Sequence, residues 1–127
     1  MSSTNGIDLE LFFAALADRT RLRLLNLMAD GEVCVCFLAE TLGTNDPKIS
    51  RHLAYLRRAD LVRSRRDGKW MHYSLNPPAE PHAAKLFEDL LAALQNNKEM
   101  QLDKKKLTTV CCAPSAPISI RRAAEIA

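Results

Sequence analysis

The sequence predicts a mostly α-helical (α+β) domain with one small β-hairpin wing, and three observations carry that expectation. Apolar residues recur at helical spacing in separate stretches from Leu9 to Leu94. One Asp-Gly pair, Asp67-Gly68, lies between two strand-like runs, the strongest local hairpin signal. Residues 48–69 hold eight Lys or Arg against Asp60 and Asp67, while the rest of the chain is slightly acidic, so the net charge of +3 hides one basic unit. A basic block confined to one structural unit is the footprint of a polyanion-binding face.

In chain order, Asp8 is placed to cap a first helix over 9–17, with Leu9, Phe12, Phe13 and Leu16 on its apolar side. Asp18 opens a second, on which Leu22, Leu25 and Met28 keep helical spacing, and Gly31 marks its end. Arg19, Arg21 and Arg23 read as a solvated face or as phosphate neighbours. Cys34 and Cys36 stand at the mouth of a short third helix carrying Phe37, Leu38 and Leu42, and Gly43 ends it. Asn45 or Asp46 then caps a fourth helix with Pro47 near its start, where a missing N–H costs nothing.

In that fourth helix Ile49, Leu53 and Leu56 form an inward stripe, leaving Lys48, Arg51, His52, Tyr55 and Arg58 outward. A short helix, a glycine turn and a basic helix make a helix-turn-helix, and the hairpin directly after it makes a wing. Lys48, Ser50, Arg51, His52 and Tyr55 are the expected major-groove contacts. Arg65, Arg66 and Lys69 at the wing tip are placed for the phosphate backbone or the minor groove. His52 and His72 suit DNA contact or packing, and Trp70 the base of the wing. After Pro77, Pro78 and Pro81 comes a last helix over 82–97. Its stripe of Ala84, Phe87, Leu91 and Leu94, widened by Leu86 and Leu90, is broader than a small domain needs for itself, so a second copy is expected to cover it. The expected division is a winged helix-turn-helix DNA-binding and dimerisation domain over 1–97 and a mobile tail over 98–127, with a weak helix near 120–126.

With 47% hydrophobic residues the 127-residue chain can build a core without disulfides. No apolar run approaches the length of a membrane span, so no membrane partner is expected. The N-terminal residues lack the basic flank and apolar core of a signal peptide. A cytoplasmic location follows as the expectation, with the four cysteines reduced and open to metal or redox chemistry.

Thiolates select soft ions, and a helix N-terminus favours the thiolate. If Cys34 and Cys36 both sat in regular helix they would point about 200° apart, whereas two sulfurs on one centre lie within about 4 Å. Binding is therefore expected to require unwound or extended backbone there, which would disturb the support of the reading helix. An enzyme is not expected, because there is no Cys-x-x-Cys and no recognisable base beside the thiols.

Four stretches resemble the ArsR/SmtB family of metal-responsive repressors, in its arsenical-resistance branch: Leu16-Ala-Asp-Arg-Thr-Arg-Leu-Arg-Leu-Leu, Glu32-Val-Cys-Val-Cys-Phe-Leu, Pro47-Lys-Ile-Ser-Arg-His-Leu-Ala-Tyr-Leu-Arg and Asp67-Gly-Lys-Trp-Met-His-Tyr-Ser-Leu. The resemblance implies a winged helix-turn-helix homodimer, joined through its first and last helices, that represses an arsenic-detoxification operon. It would release double-stranded operator DNA when As(III) or Sb(III) binds the cysteines. The branch has a third cysteine where this chain has Ala39. Cys111 or Cys112, from either subunit, can complete a three-thiolate set; alternatively they form a separate site or take no part. An extended stretch from Asn97 to Cys111 would span about 46 Å, so reach is no obstacle. Two thiolates alone would suit a methylated arsenical, and a redox-sensing repressor is a further alternative on the same fold. The family's other metal site, on the last helix, is represented only by Glu80 and His82; position 93 is Ala, and no zinc site is expected there.

Overall fold

The computed structural model describes residues 7–111, and for Cys111 its backbone alone. The helices are α1 (Leu9–Leu16), α2 (Arg19–Leu27), α3 (Val35–Leu42), α4 (Asp46–Arg58), α5 (Pro81–Gln95) and α6 (Lys98–Cys111); the strands are β1 (Val33–Cys34), β2 (Val62–Asp67) and β3 (Trp70–Leu75). The helix-turn-helix and wing are present as expected, with two additions, β1 and α6.

Local chemistry explains the boundaries. The Asp8 carboxylate accepts from the Leu11 amide at 3.1 Å and Asp18 accepts from Arg21 at 2.9 Å. Asn45 Oδ1 accepts from Lys48 at 3.0 Å, so Asn45 rather than Asp46 caps α4. Gly43 closes α3 at φ 68°, a left-handed value at which a side chain would be strained. Asp60 takes a similar φ of 63° after α4, and Asn76 Nδ2 donates to its carbonyl at 2.9 Å, holding the wing's far end against the end of the reading helix. The hairpin turns through Gly68 and Lys69 between paired Asp67 and Trp70, one residue later than an Asp-Gly turn would. Gly68, at φ 62°, occupies the first central position.

The core gathers Phe12, Leu24, Leu25, Leu38, Ile49, Leu53, Leu56 and Leu61, all essentially inaccessible. Ile49, Leu53 and Leu56 are the α4 stripe read from the sequence. The three-stranded sheet has the order β1-β3-β2 and is antiparallel, with Val33 opposite Tyr73 and Cys34 opposite His72. The sequence reading missed β1 because two residues carry no periodicity.

The tail expected to be mobile from residue 98 is instead helical as far as Cys111 and seated against α2, α3 and α5. Its inner stripe is Met100, Asp103, Leu107 and Val110, with Met100, Asp103 and Val110 buried and Leu107 packed on the core. The anchors are polar. Asp103 receives Arg23 through two bonds of 2.8 and 2.9 Å, Glu99 meets Arg19 at 2.7 Å, and Lys104 meets Asp30 at 3.0 Å. The buried Asn26 amide donates to the Met100 carbonyl at 2.9 Å. Thus the α2 arginines are not free phosphate neighbours: Arg19 and Arg23 brace α6, and Arg21 donates to the carbonyls of Ala15 and Ala14 at the end of α1. No helix among the described residues is long and apolar enough to cross a membrane.

Candidate thiol site and nucleic-acid interface

Cys34 ends β1 and is the N-cap of α3, with φ −72° and ψ 142°; Cys36 lies in the first helical turn. Because Cys34 is extended rather than helical, the two sulfurs come to 3.1 Å of one another. The extended backbone expected for chelation is thus present, but before any ligand binds rather than as a consequence of binding. The required break in helical geometry is built in, by the pairing of Cys34 with His72, and the pair needs to spread by less than about 1 Å to span one soft centre. Cys34 is buried and Cys36 half-buried.

The pair shares a proton. A hydrogen bond from the Cys36 thiol, aided by first-turn amides, lowers Cys34 from 9.0 to about 7 against the opposing effect of burial. Cys36 is pushed up, first by that same bond, then by burial and by the Cys34 charge. The carboxylate of Asp46, in the first turn of α4, raises both. The first-turn amides favour the thiolate at both cysteines, but only at Cys34 does the net shift go down. Cys34, with its folded value below its ordinary one, contributes stability that is fully present above 9.0 and lost as pH falls through about 7. The proton retained by Cys36 opposes this above 9.0, so the pair favours folding most near that pH. Cys36→Ala removes the donor, and the ultraviolet thiolate absorbance of Cys34 should then titrate well above the wild-type midpoint of about 7. An unchanged midpoint would show that the shared proton is not the cause.

Among the described residues no group of three or more His, Cys, Asp or Glu is arranged to hold a metal ion. Cys111 is the last residue of α6, directly after Val110, which lies in the same buried cluster as Cys34 and Phe37. As a helix, the stretch that could have spanned about 46 Å covers only about 20 Å. Cys112 lies outside the described residues, as does the stretch read as a weak helix near 120–126. On α5, Glu80 caps the helix, accepting from the His82 and Ala83 amides at 3.1 and 2.8 Å.

On α4, Lys48, Ser50 and Arg51 are exposed, whereas His52 and Tyr55 are half-buried. Tyr55 is held between two guanidinium groups, Arg21 at 4.1 Å and Arg58 at 5.0 Å from the ring centre. His52 Nδ1 is 3.4 Å from Arg21 and 3.6 Å from Asp18. A cleft of about 650 Å³ between α2 and α4 is lined by Lys48, Arg51, His52 and Tyr55 together with Arg21 and Arg23. At the wing, Arg66 is exposed and Lys69 lies 5.2 Å from the Trp70 ring centre. Arg65 is engaged by Glu32, with bonds of 2.6 and 3.0 Å. His72 is buried at 1% exposure, which rules out the DNA-contact option and leaves packing. Neither of its ring nitrogens has a hydrogen-bond partner among the described residues.

The sequence reading missed Glu32, His72 and the α6 braces as parts of the site. The spacing of Met100, Asp103, Leu107 and Val110 was the available signal for α6; nothing local signals a long-range pair such as Arg65 with Glu32.

The fold and paired thiols define a winged helix-turn-helix regulator with a candidate soft-ligand site at the foot of its reader. Residues 18–64 match the family model described as bacterial regulatory protein, arsR family. The chain is 47% identical over 78 residues to the arsenical resistance operon repressor of Escherichia coli, covering 61% of this chain and 67% of that protein. It is 36% identical over 110 residues to the arsenic resistance transcriptional regulator ArsR1 of Pseudomonas putida, covering 86% and 84%. The solved homodimeric winged helix-turn-helix DNA-binding domain of Mb0332 from Mycobacterium bovis superposes with a TM-score of 0.57 at 31% identity, covering 68% of this chain and 78% of that one. The protein belongs to the ArsR family of bacterial regulatory proteins.

Proposed function

We propose that this protein is a cytoplasmic, homodimeric repressor that binds double-stranded operator DNA and leaves it when trivalent arsenic, or antimony, binds Cys34 and Cys36. The observation that carries the reading is the 3.1 Å thiol pair, held at the junction of the sheet that forms the wing and the helix that precedes the reader. Its chemistry suits a soft, thiophilic centre. The names of the arsenic-resistance relatives support the same ligand.

Inorganic As(III) favours three thiolates. We assign the third donor to the α6 end, Cys111 or the following Cys112, because α6 packs against α3, the helix that Cys34 caps, with Val110 buried. A two-thiolate site would instead suit a methylated arsenical, for which the adjacent Cys34 and Cys36 suffice. These readings part on the sulfur count around the bound arsenic.

The reader is α4, with Lys48, Ser50 and Arg51 presented outward, His52 and Tyr55 steadied beside them, and Arg65, Arg66 and Lys69 meeting the backbone or minor groove. Dimerisation is assigned to α1 and α5. Phe13, exposed at 52%, lies with Leu9 and Leu86 along a groove of about 420 Å³ between these helices, an apolar surface that a second copy would cover. Arg51→Ala should weaken operator binding by about 1–3 kcal/mol if Arg51 reads a base. Fluorescence anisotropy with an operator duplex measures this, and unchanged affinity would remove Arg51 from the reader.

A further inference from the structure

The wing arginine that faces DNA in this reading is held by a carboxylate from the thiol segment. Arg65 Nη2 and Nε donate to the two Glu32 oxygens at 2.6 and 3.0 Å, a fork-on-fork arrangement. Glu32 immediately precedes β1 and lies two residues before Cys34. In the sheet Cys34 is opposite His72, and His72 is opposite Arg65. Residues opposite one another share a face, and on an extended strand i and i+2 share it too. The ion pair therefore joins the two outer strands across the middle one, over the buried His72. It is a tie between the inducer segment and the wing, and its effect on charge is visible: Arg65 holds the Glu32 carboxyl below its usual range.

We propose that Glu32 is a latch residue that competes with operator phosphate for Arg65 and so sets the wing's hold on DNA. A guanidinium fork accepts a carboxylate or a phosphate in the same two-bond geometry, and Arg65 cannot give both of its donors to each at once. Closed, the latch withholds one cation from the duplex; DNA binding has to open it. The inference rests on the reading of the wing as a DNA contact.

The test is operator affinity of the full-length dimer across a salt series, for wild type, Glu32→Gln, Arg65→Ala and the double variant. Exposed ion pairs are individually weak, so Glu32→Gln should tighten binding by roughly two- to fivefold. The salt dependence should also steepen by up to about one released counterion per subunit. In the Arg65→Ala background the same substitution should give no gain. An equal gain in both backgrounds would reduce Glu32 to a general negative charge and overturn the latch. No gain in either, with Arg65→Ala still weakening binding, overturns the latch while leaving the wing reading intact. Wild-type affinity for Arg65→Ala would overturn both.

Discussion

Cys34→Ser should bind operator about as well as the wild type and fail to leave it when arsenite is added. Cys34 sits in β1 and the α3 cap, where serine also caps a helix, so the fold and the distant reader stay intact. The substitution removes the more acidic thiol of the pair, and a hydroxyl does not replace a thiolate toward a soft centre. We expect the arsenite needed for release to rise by at least about 100-fold, comparable with the loss of a bound ligand worth a few kcal/mol. Anisotropy of a labelled operator under increasing arsenite reads both quantities. A variant that still releases at the wild-type arsenite concentration would remove Cys34 from the site.

The second large effect concerns α6. Asp103 has a side-chain exposure of 8% and receives two bonds from Arg23, whose guanidinium is itself held protonated first by that carboxylate. Asp103→Ala leaves Arg23 partly buried without its partner, which costs more than the pair contributes. Arg23 retains some water access, so we expect a loss of about 2–3 kcal/mol in unfolding free energy, measured by urea denaturation at fixed protein concentration. Stability within about 0.5 kcal/mol of wild type would mean that α6 is not braced there.

These expectations divide according to what the sequence made legible. The α4 stripe, the Asp8, Asp18 and Asn45 caps, the Gly43 turn and the wing are local features, in which period and capping chemistry act within a few residues. They were readable from the chain alone. The Cys34–Cys36 motif was legible as chemistry and in its need for non-helical backbone, but not that this backbone is preformed, because only the pairing of Cys34 with His72, far along the chain, makes Cys34 extended. The same holds for α6. Its lysine-rich sequence resembles a solvated tail until Asp103 and Glu99 meet the arginines of α2, at a separation of 80 residues. Tyr55 and His52 were expected to point outward, whereas both are half-buried, because their engagement with Arg21 depends on how α2 crosses α4.

With the thiols already adjacent, release cannot depend on melting α3 to bring them together. In the proposed function, a bound centre acts on the reader by repositioning β1 and its partners, with α6 included if its cysteines join. X-ray absorption on the arsenite-loaded full-length protein tests this most directly. We expect three sulfurs about 2.3 Å from arsenic, by analogy with other thiolate bonds, falling to two when Cys111 and Cys112 are both replaced by serine. A shell dominated by oxygen, or a sulfur count that survives replacement of Cys34 and Cys36, would contradict it.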